Sequence, residues 1–214
     1  DLKAAVDNVA ADAKRKAEEE AKRKALMQTD FIQKYLVLEW ELRFKFKHKF
    51  TEAEIQKLID EEIRPAADVG NASAQCFLSK CYMFGRGVTK DQAEAVKWCR
   101  KAAEGGNLDA QVDLGIIYQG DYGVTKDEAE AKEWLMKAAE QEYARAQYYV
   151  GELYAGWSPE AMKWYRKAAE QGYVDAQYEL GEAYYYSYGV KEDYVEAVKW
   201  YRMAAEQGRV DANL

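Results

Sequence analysis

Proline is scarce, with two in 214 residues. That scarcity, together with abundant Ala, Glu, Lys and Gln, points to a nearly all-helical protein. The three cysteines, Cys76, Cys81 and Cys99, are odd in number and too few for a disulfide framework. On one helix Cys76 and Cys81 stand about 140° apart, so small buried thiols are the expected state. Cys81 with Cys99 across adjacent helices stays open as a pairing. Basic charge is also in deficit: the net charge is -7, which argues against a general nucleic-acid binder and for an acidic scaffold. No apolar run approaches the roughly 18 residues of a membrane span, and no signal peptide is visible. The chain opens on Asp1 rather than Met, so the compartment, whether cytoplasmic, periplasmic or secreted, is left open.

Residues 1–30 contain no Pro or Gly and carry Glu18 with Lys22, Glu19 with Arg23 and Glu20 with Lys24. Each pair is spaced i,i+4 with the acid first, the favourable order on a helix, so this segment reads as a charged, solvated N-terminal helix. From Leu36 to Phe50 the apolar residues alternate, a strand pattern when taken alone. An isolated strand has no partner in an all-helical chain, and the repeat spacing described below places a helix there, so helix is the preferred reading. Thr51-Glu-Ala-Glu54 is a capping box opening a helix whose buried face is Ile55, Leu58, Ile59 and Ile63. Pro65 is expected to bend or end that helix early. Residues 31–70 thus read as a divergent first repeat capping the stack.

What the chain has in abundance is repetition. Trp98, Trp134, Trp164 and Trp200 recur at intervals of 36, 30 and 36 residues. They mark units at 71–106, 107–142, 143–172 and 173–208, with a partial fifth at 209–214. A first helix carries Ala-Gln, an apolar residue with Gly, and Tyr, as in Ala110-Gln111, Leu114-Gly115 and Tyr118. A second carries Ala, Trp and Ala-Ala, as in Ala131, Trp134 and Ala138-Ala139. Between them Gly-Val supplies a turn and an Asp (Asp91, Asp127, Asp193) is placed to cap the second helix.

The wording Leu-Gly-x-x-Tyr, Gly-Val-x-x-Asp and Trp-Tyr-x-Lys-Ala-Ala-x-Gln-Gly resembles the Sel-one-like repeat (SLR) family, relatives of the tetratricopeptide repeat, over about two thirds of the chain. The resemblance implies an all-α fold, a right-handed α/α superhelical solenoid of helix-turn-helix repeats, here with an N-terminal helical extension. It also implies a concave groove that binds other proteins, with no common catalytic residue and no cofactor.

Departures from the pattern are specific. The third unit replaces the Gly-Val loop with Gly156-Trp157-Ser158-Pro159-Glu160, where Ser158 is an N-cap and Pro159 the first helical residue. Glu142 stands where the other units have Gly, predicting a weaker helix stop.

Recurring positions are assigned to packing, since every unit must solve the same burial problem. Recognition is assigned to positions that change between units: Phe77, Lys80, Met83 and Phe84; Asp113, Ile116 and Gln119; Tyr149 and Glu152; Trp157; Glu179, Glu182, Tyr185, Tyr186 and Tyr188. On the concave face these would form an aromatic and acidic groove suited to a protein or peptide with apolar anchors and basic flanks. The expected function is therefore a non-enzymatic interaction scaffold. Two rivals rest on single features: hydrolase-like chemistry at the sole histidine, His48, and anionic-surface binding at Arg43, Lys45, Lys47 and Lys49. No metal-ligand spacing or phosphate loop appears.

Overall fold

The computed structural model describes residues 51–120, 122–154 and 156–209, and all regular structure among them is helical. The N-terminal segment, the alternating stretch before Phe50, the Arg43–Lys49 patch, His48 and residues 210–214 lie outside the described residues. The chain divides into two compact units, Asp1–Asp91 and Gln92–Leu214, so the divide falls between the two helices of the first clear repeat.

In the first unit, α1 (Glu52–Leu58) begins at the capping box, with Glu54 N donating to Thr51 Oγ1 at 3.2 Å and Thr51 N to the Glu54 carboxylate at 2.7 Å. Those bonds hold the Glu54 carboxyl below its ordinary range. Ile55, Ile59 and Ile63 are buried, while Leu58 is half-buried. Pro65 does not end the helix. The backbone widens into a π turn at Ile59–Ile63 and runs on as α2 (Arg64–Asp68), with Pro65 in its first turn. The carbonyl that a proline ring crowds is four residues back, at Glu61, so the widened turn absorbs the break upstream of the proline. Asn71 then caps α3 (Ala72–Phe84) through Ala74 N at 2.9 Å. Gln75 Nε2 closes α3 onto the Ala67 carbonyl at 2.9 Å.

The second unit runs α4 (Gln92–Glu104), α5 (Leu108–Gln119), α6 (Glu128–Ala139), α7 (Ala144–Glu152), α8 (Pro159–Glu170), α9 (Val174–Tyr186) and α10 (Tyr194–Glu206), each packed on the next in sequence. This is an α/α solenoid of helix pairs. Asp127, Ser158 and Asp193 cap α6, α8 and α10 as their spacing predicts, and Asp127 N and Asp193 N donate to the carbonyls of Tyr118 and Tyr184 at 3.0 and 3.1 Å.

Two recurring residues explain the packing. The mid-helix glycine lets the paired helix approach closely: a Cβ on Gly115, Gly151 or Gly181 would stand 2.6 Å from the side chain of Leu135, Tyr165 or Tyr201. The Ala-Gln glutamine joins successive units. Gln111, Gln147 and Gln177 are fully buried, and their Nε2 groups donate to the carbonyls of Ala103, Ala139 and Ala169 at 3.1, 3.5 and 3.1 Å. A buried amide without a partner would cost about 1–3 kcal/mol, so this residue both requires and fixes the joint. The recurring Trp-x-x-Lys has a local role as well, with Lys101, Lys137 and Lys167 over the rings of Trp98, Trp134 and Trp164 at 4.1, 4.8 and 4.8 Å.

The helix stop after α6 forms despite the missing glycine. Glu142 adopts φ +58 where Gly106 and Gly172 take +86 and +88, and its carboxylate accepts from Gln147 Nε2 at 3.0 Å. The left-handed backbone costs a non-glycine residue about 1–2 kcal/mol, which that bond partly offsets. All three cysteines are free and buried, and burial pushes the Cys81 thiol up to about 12.

Candidate functional site

The candidate residues of the first unit do not share one surface. Phe77 is 1% exposed and is core, so it leaves the recognition set. The reason is positional: Phe77 falls among a continuous buried run, Ala74 to Ser79, on a helix enclosed more widely than one face. Lys80 and Met83 are half-buried, and Phe84 is exposed at the end of α3.

In the second unit the first helices α5, α7 and α9 carry the acids Asp109, Asp113, Glu152, Asp175, Glu179 and Glu182, and Arg145 is their only base. Arg145 bridges α7 to α5, bonding Asp109 at 3.1 Å and Asp113 at 2.6 Å, with its guanidinium 5.7 Å from the Tyr149 ring. Burial alone would lower that guanidinium, but Asp113 and Asp109 outweigh it and raise it above its ordinary value. Tyr143 at the start of α7 donates to Asp109 at 2.6 Å. Asp113 is therefore largely engaged in holding α7 against α5.

Further along the row, Tyr165 donates to Glu152 and Tyr201 to Glu182. Burial first, and the accepting carboxylates second, push both phenols above their ordinary range. Between these two anchored acids lies Glu179, half-buried on α9. Burial, then Glu152, with smaller contributions from Glu182 and Asp175, pushes its carboxyl up to about 7, against a lowering by Arg209. Arg209 itself pairs with Asp175 and lies 4.1 Å from the Tyr178 ring. Tyr148 joins the helices by ring contacts with Tyr149, Tyr165 and Tyr173 at 5.3, 5.7 and 5.2 Å. The result is a row of carboxylates and phenols that includes Glu179, whose carboxyl is raised by burial and by the neighbouring acids.

The remaining candidates separate from that row. Ile116 packs against the core cluster of α5, α6 and α7, as does one side of Tyr149, which itself stays in the row. The Nε2 of Gln119 is buried without a hydrogen-bond partner at the end of α5. Trp157 stacks on Tyr188 at 5.4 Å, Tyr188 on Tyr186 at 5.4 Å, and Tyr185 meets Tyr186 edge-on at 4.7 Å. This aromatic edge continues to Tyr194, 5.4 Å from Tyr185. Gly189 is what allows Trp157 there: at φ +66, a Cβ on it would stand 2.0 Å from the Trp157 carbonyl oxygen. The candidates thus fall into two separate groups of side chains rather than one groove. Sequence reading missed Arg145, Tyr148, Tyr165 and Tyr173, and the available signal for the first was its being the only base on three acidic helices.

Among the described residues no group of His, Cys, Asp and Glu is arranged to hold a metal, and no helix is long and apolar enough to cross a membrane. The architecture defines a class, the α/α repeat scaffold. The chain belongs to the Sel1 repeat family: the family model matches residues 72–107, 108–143, 158–173 and 174–208, more than half the chain. Among solved structures it is similar to c5321, a protective antigen of uropathogenic Escherichia coli with an SLR fold, at 39% identity and TM-score 0.63 over 70% of this chain and 33% of that one. It is also similar to a Sel1 repeat protein from Oxalobacter formigenes, at 34% identity and TM-score 0.61 over 74% and 70% of the two chains. The immunity protein PA5088 of Pseudomonas aeruginosa shares the fold at 24% identity and TM-score 0.61, over 86% and 66%. This chain spans about a third of the length of c5321. No curated protein matches it significantly.

Proposed function

We propose that the chain is a non-enzymatic interaction scaffold that takes a basic, aromatic- or aliphatic-anchored protein segment along the first helices α5, α7 and α9. The observation that carries this reading is the row of six acids on these helices, with Arg145 as their only base, set among the rings of Tyr148, Tyr149 and Tyr173. Within that row Glu179 is half-buried, burial and Glu152 raise its carboxyl, and a Lys or Arg side chain of a partner would favour its charged form. The tyrosines around it add flat, partly apolar contact area with polar tips, the composition of protein-recognition surfaces. Glu152 and Glu182, held by the hydroxyls of the buried Tyr165 and Tyr201, have little rotamer freedom left to lose on binding. On this reading Tyr149, Glu152, Glu179 and Glu182 contact the partner, while Asp113 and Arg145 position α7.

Selection of a random peptide display library on the purified protein tests this. Recovered peptides are expected to be rich in Lys or Arg beside an apolar residue. Their recovery should fall at least about fivefold in the Tyr149→Ala, Glu179→Gln double variant and fall again as salt is raised from ~0.05 to ~0.5 M. Peptides without basic enrichment, or recovery indifferent to the variant and to salt, would sink the proposal.

A further inference from the structure

The rings that hold Glu152 and Glu182 are placed by glycine. A Cβ on Gly151 would stand 2.6 Å from Tyr165 Cε1, and one on Gly181 2.7 Å from Tyr201 Cε1, so each ring lies against bare backbone of the paired first helix. From there its hydroxyl donates to Oε1 of the very next residue, Glu152 or Glu182. Both tyrosines are buried, at 5% and 6% exposure, so the carboxylates they hold have a fixed position. Among the described residues Oε2 of each glutamate has no hydrogen-bond or ion-pair partner.

Acid and ring occur together. Units 143–172 and 173–208 have Glu with Tyr at these two places, while 107–142 has Ile116 with Leu135 and 71–106 has Lys80 with Cys99. A buried phenol needs an acceptor, but a neutral amide would serve it as well as a carboxylate. Two carboxylates instead stand near Glu179, and both raise its carboxyl. That crowding of like charge is unfavourable in the free protein and is relieved by cations from outside.

The spacing of the two acids sets the form of what brings those cations. They hold the same place in successive units, so they stand one repeat apart, about 8–10 Å for packed helices. A polyproline II segment rises about 3.1 Å per residue with three residues per turn, so its positions i and i+3 share one side about 9 Å apart. A β-strand does not match, because residues three apart point to opposite faces. Tyr148 of α7 meets Tyr173 at the start of α9 at 5.2 Å, and aromatic-lined surfaces suit polyproline II chains.

We propose that the held glutamates set the register of the partner. The protein segment bound along α7 and α9 is extended, in the polyproline II form, and carries Lys or Arg at two positions three residues apart, one for Glu152 and one for Glu182. Tyr165 and Tyr201 are positioning residues. This rests on the scaffold reading given above and adds the spacing of the cations and the form of the chain.

The test measures fluorescence anisotropy of three labelled peptides on the intact protein. One is proline-based with two lysines three residues apart, the second has the same composition with the lysines adjacent, and the third is an alanine-based helix with lysines seven apart. The first should bind at least about threefold more tightly than either of the others. Glu182→Gln keeps an acceptor for Tyr201 but removes the charge, and should weaken the first peptide about fivefold. Tyr201→Phe keeps the charge but frees the side chain, and should weaken it about threefold, with no further effect in the Glu182→Gln background. Circular dichroism checks that both variants remain folded. Equal or tighter binding of either rival peptide overturns the proposal, as does binding indifferent to Glu182→Gln or additive effects of the two changes. Basic peptides that respond to Glu179→Gln but to neither spacing nor Tyr201→Phe would leave the scaffold reading standing and remove the register, whereas no binding of any basic peptide would sink both.

Discussion

Gly181 of α9 lies directly under the Tyr201 ring of α10, and a Cβ at that position would stand 2.6 Å from Tyr201 Cδ1 and 2.7 Å from Cε1. The mid-helix glycine is therefore a spacing device. Alanine favours a helix interior by about 1 kcal/mol, yet here it would force the two helices apart. Gly181→Ala is expected to destabilise the protein by a net ~1–3 kcal/mol in urea denaturation. Adding Tyr201→Ala should recover part of the clash, and a lack of coupling between the two changes would contradict the packing account.

The buried glutamines make a second prediction. Gln177→Ala leaves the Ala169 carbonyl without its side-chain donor and removes the acceptor that Gln207 uses at 2.9 Å. A loss of about 1–2 kcal/mol is expected. Gln141→Ala, on an exposed residue that bonds only its own helix at Lys137, should change stability by less than ~0.5 kcal/mol in the same measurement.

Arg145 links α7 to α5 through two carboxylates, with side-chain exposures of 19% for Arg145 and 33% and 23% for Asp109 and Asp113. Arg145→Ala removes both bonds and leaves two acids facing each other, so a loss of about 1–3 kcal/mol is expected, less than for a fully buried pair. Arg145→Lys should recover only part of it, because an ammonium lacks the planar fork that meets both acids. Equal stability of the Lys variant and wild type, by thermal unfolding at low salt, would count against the fork.

The Glu179 carboxyl carries a pH signature. Its folded value is raised to about 7 from an ordinary 4.5, so between these values the folded state holds the proton more tightly than the unfolded chain. Its contribution to stability is fully present below about pH 4.5, falls as pH rises towards 7, and is flat above. Relative to Glu179→Gln, wild type should lose Tm steadily across that window. A difference independent of pH, or one growing in wild type's favour with pH, would refute the assignment.

How far the residues themselves announced this can be judged position by position. Asp127, Ser158 and Asp193 cap their helices through bonds within three residues, which sequence spacing specifies directly. The recurrence of Gln177 points to packing, and the residue is buried, but its bond to Ala169 depends on how one unit sits on the next. The anchoring of Glu152 by Tyr165 is less legible still, since it requires the third-unit loop to return α8 beside α7, and Tyr165 belongs to the recurring set that reads as core. Of the two outcomes expected at Pro65, a bend or an end, the helix does not end there, because a local widening of the backbone is available upstream. Phe77 varies between units yet is core, because the run Ala74 to Ser79 is buried on more than one face of α3.

The short loop of the third unit, in which Trp157 nests its carbonyl against Gly189, has a further consequence. The residues omitted there come from the crossing between paired helices, while the amide-to-carbonyl joint on either side of the unit is unchanged. Units of unequal length are therefore interchangeable parts, and whole units inserted, deleted or exchanged at their joints are expected to leave neighbouring units intact. Such an array can acquire a new recognition surface by recombination of whole units.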